Sequence, residues 1–458
     1  MVKQATPKFV SLRLLSAIDA QKRILFLSDA SWMLIEVLPD RQTQVPHMKF
    51  ELRPRSGHGL LSPLPILLLT VFIDMVGFGI VVPVLPLYTE RYGASPLTIG
   101  MLLAVYSGMG FIFSPLVGAL SDRFGRRSIL LLSTVGQAAG FFIMGAANAL
   151  LWLFVARIID GIFGANVSTT QAYVADVTPP EDRSRALGLL GAAFGVGFIC
   201  GPLTGGLLSQ ISLSAPFYFA GGLAAVNAVL IFFILPESLP ARESSQPDRE
   251  TFAALFRQGS GSVLVPLTAA YFFMMIGFSM VTAFFAIFTE DRFGYNASAN
   301  SYIFASIGAI GVIVQGVLIG PLVKNFSEKR VALIGLGFLA CSAFALPLAQ
   351  TGTMLLLVGA GIGLGNSLIN PTINGLVSRS VNKYWQGRAL GLMQASASLG
   401  RFFGPLLGGW FLAFNQRRTP EFGRAPFWIG SALLIVSLIL TATVSVPREK
   451  ALPRDLKA

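Results

Sequence analysis

Charge is what this sequence has least of: 12% of its 458 residues are Asp, Glu, Lys or Arg, against 53% hydrophobic residues and a mean hydropathy of +0.68. Soluble globular proteins carry about 25% charged residues, so a soluble enzyme or nucleic-acid-binding domain is excluded. Histidine is nearly absent. His47 and His58 both precede the first long apolar run, so neither histidine catalysis nor histidine metal ligation is available beyond it. The two cysteines, Cys200 and Cys341, lie inside apolar runs, where neither a disulfide framework nor a metal-ligand set is plausible. Lysine never follows glycine, which removes the phosphate-binding G-x-x-x-x-G-K-[ST] loop of an ATP-driven pump. No cofactor, no metal and no enzyme activity are expected, and any energy source must be a gradient or a partner protein.

What is abundant is apolar length. From Leu64 onward there are twelve apolar runs, approximately 64–88, 97–120, 128–147, 150–176, 186–210, 216–235, 263–288, 300–323, 331–349, 352–378, 388–412 and 426–446. Each can span a bilayer, for which about 20 residues of helix suffice. Period-two alternation is absent from these runs, so helices are expected rather than a barrel. The fold class is therefore an all-α integral membrane protein of twelve transmembrane helices. The 48 glycines suit close helix packing in lipid.

The formal net charge of +12 resides in loops and tails, and reads as membrane orientation and contact with anionic lipid rather than nucleic acid. Turns after runs two, four, six, eight and ten carry most Lys and Arg, whereas turns on the other side carry Arg91, Arg292 and, after run eleven, Arg417, Arg418 and Arg424. By the positive-inside rule both termini are cytoplasmic and the protein sits in the inner (plasma) membrane. Residues 1–60 read as a disordered cytoplasmic extension, with Met48 a possible true start. Residues 61–235 and 263–446 form two six-helix halves, 236–262 a cytoplasmic linker, and 447–458 a cytoplasmic tail.

The halves repeat. Residues 183–208 align without gaps on 386–411, and both carry glycines four residues apart, Gly197, Gly201, Gly205 and Gly400, Gly404, Gly408, with a Gly-Pro pair in each. The turn Gly118–Arg127, G-A-L-S-D-R-F-G-R-R, has a worn copy at Gly320–Arg330 in which Lys324 stands for Asp122. Parallel repeats of this kind build a central site between halves in many secondary transporters.

Twelve spans, the six-plus-six repeat and G-x-L-S-D-R-x-G-R-R resemble the major facilitator superfamily. R-I-I-D-G-I-F-G-A from Arg157, and the Gly-Pro motif of Gly197, Gly201, Pro202, Gly205 and Gly206, resemble twelve-span drug:proton antiporters. Span one, F-I-D-M-V-G-F-G-I-V-V-P-V-L-P, is similar to bacterial tetracycline exporters. The chain departs from those exporters in spans three and nine, which contain no Asp or Glu; Gln137 and Cys341 lie there instead. The resemblance implies that Gly118, Asp122, Arg123, Gly125, Arg126 and Arg127 form a gating motif, with Asp122 latched against the start of span eleven in the outward-open state. Three arginines beside the start of span three oppose that helix's dipole, and Asp176 and Glu181 are the expected acidic neighbours.

Asp74 is the sole ionisable residue inside span one and lies ~15 Å from its inner surface, near the middle of a ~30 Å core. An intramembrane acid marks function by default, and a carrier of protons is the expected role. Arg157 lies ~10 Å from the outer end of span four, close enough in depth to meet Asp74, while Asp160 sits on its own helical face as a competing partner. Candidate substrate contacts are Gln171, Gln315, Asn366, Asn370, Asn374 and Gln394, together with Arg401, a cation inside span eleven where the repeat has Phe198. These residues point to a monomeric, proton-coupled exporter of small amphipathic molecules working by alternating access. An uptake symporter or facilitator for a polar metabolite and a non-transporting membrane sensor are the competing expectations.

Overall fold

The computed structural model describes residues 63–164, 166–179, 182–238, 261–381, 385–414, 419 and 421–444, and three strands before residue 55. The chain divides into two compact units, Met1–Ser62 and Pro63–Ala458. In the first, β1 (Lys22–Ser28), β2 (Ser31–Leu38) and β3 (His47–Pro54) form an antiparallel sheet in the order β1-β2-β3. This differs from the disorder expected over residues 1–60. The sequence of β3, H-M-K-F-E-L-R-P, alternates polar and apolar residues with the period of a strand, a pattern outweighed in the sequence reading by the segment's charges.

The second unit is helical. Its helices are α1 (Pro63–Glu90), α2 (Pro96–Phe124), α3 (Arg126–Gly145), α4 (Leu150–Phe163), α5 (Val167–Val177), α6 (Arg183–Ser209) and α7 (Ala215–Ile234). After the linker come α8 (Gly261–Phe293), α9 (Ala297–Ile313), α10 (Ile319–Phe326), α11 (Glu328–Ala345), α12 (Gly352–Ser380), α13 (Gln386–Ala413) and α14 (Arg424–Thr443). Span four is α4 plus α5, interrupted beside Gly164 and Asn166. Span eight is α9 plus α10, joined by a π-helical segment Val314–Leu318 that holds Gln315. Side-chain caps start three spans: Ser95 accepts from the Thr98 amide at 3.2 Å, Asn296 from Ala299 at 2.9 Å and Thr351 from Met354 at 3.2 Å.

Eleven spans among the described residues are long and apolar enough to cross a membrane. The twelfth expected span, α13, has the length, 28 residues, and its lower hydropathy comes from Arg388, Gln394, Ser396, Ser398 and Arg401.

The sequence repeat becomes a packing repeat. Helix α6 lies on α1 as α13 lies on α8, and α3 on α7 as α11 on α14. The glycines explain the first pair: a Cβ on Gly197 would stand 2.6 Å from Met75 Cβ and one on Gly201 2.6 Å from the Val76 carbonyl oxygen. Their mates repeat this, with Gly400 2.5 Å from Met275 Cβ and Gly404 2.6 Å from the Ile276 carbonyl oxygen. The antiporter-type stretch is thus a helix-packing surface. The halves meet through α2 against α13 and α6 against α9, contacts that the repeat interchanges.

Candidate transport site and its gate

Asp74 on α1 faces the side-chain amides of Asn166 and Gln137 and lies within electrostatic range of Asp160. Its Oδ2 is buried without a hydrogen-bond partner. Asn166, fully buried in the α4–α5 break, donates to Gln137 Oε1 at 3.4 Å. The Arg157 guanidinium pairs with Asp160, Nη1 to Oδ2 at 2.7 Å, with both side chains almost wholly buried. Of the two partners expected for Arg157, the structure therefore selects Asp160, one helical turn away. The guanidinium also stacks on the Tyr106 ring of α2, 4.3 Å from its centroid. Gly161 allows that approach: a Cβ there would stand 2.6 Å from the Tyr106 carbonyl oxygen.

A second polar cluster faces it from the other half. Tyr271 on α8 donates to Asn370 Oδ1 at 2.6 Å, and Asn370 donates to Asn366 Oδ1 at 3.1 Å. Asn374 is a further hydrogen-bonding neighbour of Tyr271. Arg401 on α13 donates to Ser398 at 3.3 Å and acts electrostatically on the phenols of Tyr271 and Tyr106. Tyr106 is thus in contact with one arginine and within electrostatic range of the other.

The remaining polar candidates lie apart from these clusters. Gln171 is exposed and lines a cavity of about 550 Å³ with Ser168, Leu190, Phe194 and Leu390, between α5, α6 and α13. Gln315 and Gln394 are exposed and make no hydrogen bond among the described residues. Sequence reading missed Tyr106, Tyr271 and Asn166 as site residues. Asn166 had a usable signal in the G-A-N break of span four, whereas the tyrosines carried no motif.

The Gly118–Arg127 turn lies at the end of the molecule where Ser168, Gln171 and Leu390 line the cavity. Gly118, Gly188, Gly191, Gly387 and Gly391 all have open space before them. Asp122 pairs with Arg126 of the next helix at 2.6 Å and is 66% exposed, rather than pairing at the start of α13 as the resemblance implies for the outward-open state. Arg126 also reaches Asp176 at 3.3 Å and Ser121 at 2.6 Å. Arg123 lies over the Phe124 ring, and Gly125 turns the chain with φ 95°. Arg127 donates to the Phe232 carbonyl at the end of α7.

The acid that meets the α3 N-terminus is Glu237, just past α7. Its carboxylate accepts from the Arg126 amide at 2.8 Å and the Arg127 amide at 3.2 Å, satisfying helix donors and opposing the dipole. Glu181 lies outside the described residues.

On the opposite side the halves are closed. A Cβ on Gly409 would stand 2.5 Å from the Pro96 carbonyl oxygen, and one on Gly206 2.7 Å from Ser301 Cβ. Gly100 abuts the Pro405 carbonyl, and Gln210 donates to Ser298 at 3.0 Å.

The family model described as Major Facilitator Superfamily matches residues 67–384 and 314–458. The chain is 36% identical to the class C tetracycline resistance protein of Escherichia coli over 387 residues, covering 82% of this chain and 96% of that protein. It is 31% identical to multidrug resistance protein 2 of Bacillus subtilis, covering 82% and 93%. Among solved structures, an inward-facing, occupied bacterial homolog of the human lysosomal transporter Spinster superposes with a TM-score of 0.68 at 18% identity, covering 83% of this chain and 94% of that one. That likeness concerns the fold alone.

Proposed function

Because the chain belongs to the Major Facilitator Superfamily and is a multi-pass membrane transporter related to tetracycline and multidrug resistance proteins, we propose that it exports small amphipathic molecules in exchange for protons by alternating access. The observation that carries this reading is Asp74: a mid-span carboxylate with a buried oxygen lacking any hydrogen bond, beside the buried Arg157–Asp160 pair. Burial of charge in a span is expensive and is retained where it works. Protonation of Asp74 removes one negative charge from the neighbourhood of Asp160, and deprotonation returns it to compete for Arg157. Arg157 then shifts between the two acids as the proton comes and goes.

The cavity at the end of the Gly118–Arg127 turn and the close backbone contacts at the other end support separation of the halves on the first side and closure on the second. With both termini cytoplasmic this conformation is inward-open, and substrate enters through the cavity lined by Ser168, Gln171 and Leu390. Rocking the halves closes that side and brings Asp122 to the start of α13, where a helix N-terminus favours an anion. The protein acts as a monomer among membrane lipids.

The test is a pair of flux measurements in proteoliposomes carrying an imposed pH gradient. Wild-type protein is expected to accumulate an amphipathic dye, fluorescein or ethidium, against its gradient while releasing protons, and Asp74→Asn to lose both fluxes while still inserting. Gradient-driven accumulation undiminished in Asp74→Asn would remove Asp74 from the mechanism.

A further inference from the structure

Arg401 is a cation in the middle of a span. At 1.5 Å per residue it lies about 22 Å along α13 from Gln386 and about 18 Å from Ala413. An arginine side chain cannot snorkel over either distance. Among the described residues no carboxylate pairs with it; its one hydrogen bond goes to Ser398 at 3.3 Å. A guanidinium has five N–H donors, so most of its capacity is uncommitted. The contrast with Arg157 is direct, since that cation is neutralised by Asp160 at 2.7 Å.

The surroundings favour a bound anion over a structural role. Tyr106 on α2 and Tyr271 on α8 lie within electrostatic range of Arg401, although the Tyr106 hydroxyl is turned toward Gly164 at the end of α4. Tyr271 continues into the hydrogen-bonded row of Asn370 and Asn366. A buried guanidinium with uncommitted N–H donors is chemistry that recognises a carboxylate or sulfonate. The repeat-related position is Phe198, whose ring lies 6.3 Å from that of Phe78, so helix packing at this level does not require a cation.

We propose that Arg401, with Tyr271 and Tyr106, forms a subsite for an anionic group of the transported molecule. The preferred cargo is then an amphipathic organic anion with an aromatic or apolar body. Its charge is held by the second half, while the proton is carried by the first. The proposal deepens the transport reading above and rests on it for the claim that the occupant is cargo.

The experiment uses purified full-length protein in detergent and two dyes with the same xanthene body and opposite charge, fluorescein and rhodamine 6G, titrated by fluorescence anisotropy. Wild-type protein is expected to bind fluorescein, with affinity falling by about tenfold or more in Arg401→Gln and by less in Arg401→Lys. Rhodamine 6G affinity is expected to change less than about twofold, since no direct contact to a cation is lost. Equal losses for both dyes would make Arg401 a structural residue and overturn the proposal. So would fluorescein binding unchanged in Arg401→Gln, or wild-type protein that does not bind fluorescein. The titration contains no pH gradient, so failure of proton coupling in the Asp74→Asn flux assay leaves its outcome independent.

Discussion

The two halves share a scaffold and differ in their charge. The same glycine spacing seats α6 on α1 and α13 on α8, and even the contacted residues correspond, Met75 and Val76 with Met275 and Ile276. By that register Asp74 corresponds to Met274, which is fully buried. The first half holds Asp74, Arg157 and Asp160; the second half has no carboxylate at these levels and a lone Arg401. The repeat gives a symmetric frame, and the buried charges break that symmetry at a few positions.

The basic-side turns diverge in the same manner. Both bend through positive φ, 95° at Gly125 and 71° at Ser327. Arg127 donates to the Phe232 carbonyl near the end of α7, and Lys329 donates to the Ala442 and Val444 carbonyls at the end of α14, each at 2.7 Å. The acid at the helix start comes from different places. For α3 it is Glu237 from beyond α7; for α11 it is Glu328, the helix's own first residue, which also pairs with Arg379 at 3.3 Å.

The sharpest way to break the comparison is charge removal. Arg157→Ala leaves Asp160 buried without its partner and is expected to cost about 3–5 kcal/mol, read as a fall in the thermal unfolding midpoint in detergent. The double variant Arg157→Met with Asp160→Leu should recover most of it, and no single neutralisation at the corresponding level of the second half should approach the single-variant loss.

Next in size are the shared glycines. Gly201→Leu and Gly404→Leu each force a side chain into facing backbone, and each is expected to cost about 1–3 kcal/mol or more. Equal shifts in the unfolding midpoint would support the packing repeat; a twofold disparity would break it. Smaller still, Glu237→Ala should destabilise by about 1 kcal/mol through loss of the α3 cap. Asp122→Asn, at an exposed carboxylate, is expected to leave the unfolding midpoint within about 0.5 kcal/mol of wild type while abolishing pH-gradient-driven flux.

Much of this architecture was legible because lipid simplifies the problem. Run lengths of about 20 residues mark helices directly, and glycine at four-residue spacing marked the surfaces of α6 and α13 before any contact was known. Asp74 and Arg157 were visible as charges in apolar runs. What was not legible is partnership across helices. Nothing local says that Tyr106 stacks on Arg157, that Tyr271 joins Asn370, or that Glu237 rather than Asp176 caps α3, because each pairing depends on how distant spans are rotated. Polarity alone also misleads: Gln315 and Gln394 are as polar as Asn370 but lie outside the polar clusters.

The seam between Gly100, Gly409, Pro96 and Pro405 carries a consequence for mutation. Backbone meets backbone there, so even a methyl group exceeds the space available. Inserting a methylene into a tight contact costs about 1–3 kcal/mol, and about 1.4 kcal/mol already changes a conformational ratio tenfold. On the alternating-access reading proposed above, Gly100→Ala or Gly409→Ala is expected to tilt the resting population toward the opposite opening, because the strained contacts lie between the halves rather than within either one. Since alanine is one nucleotide from glycine, the expected effect of the smallest coding change at this seam is on the balance of conformations rather than on folding.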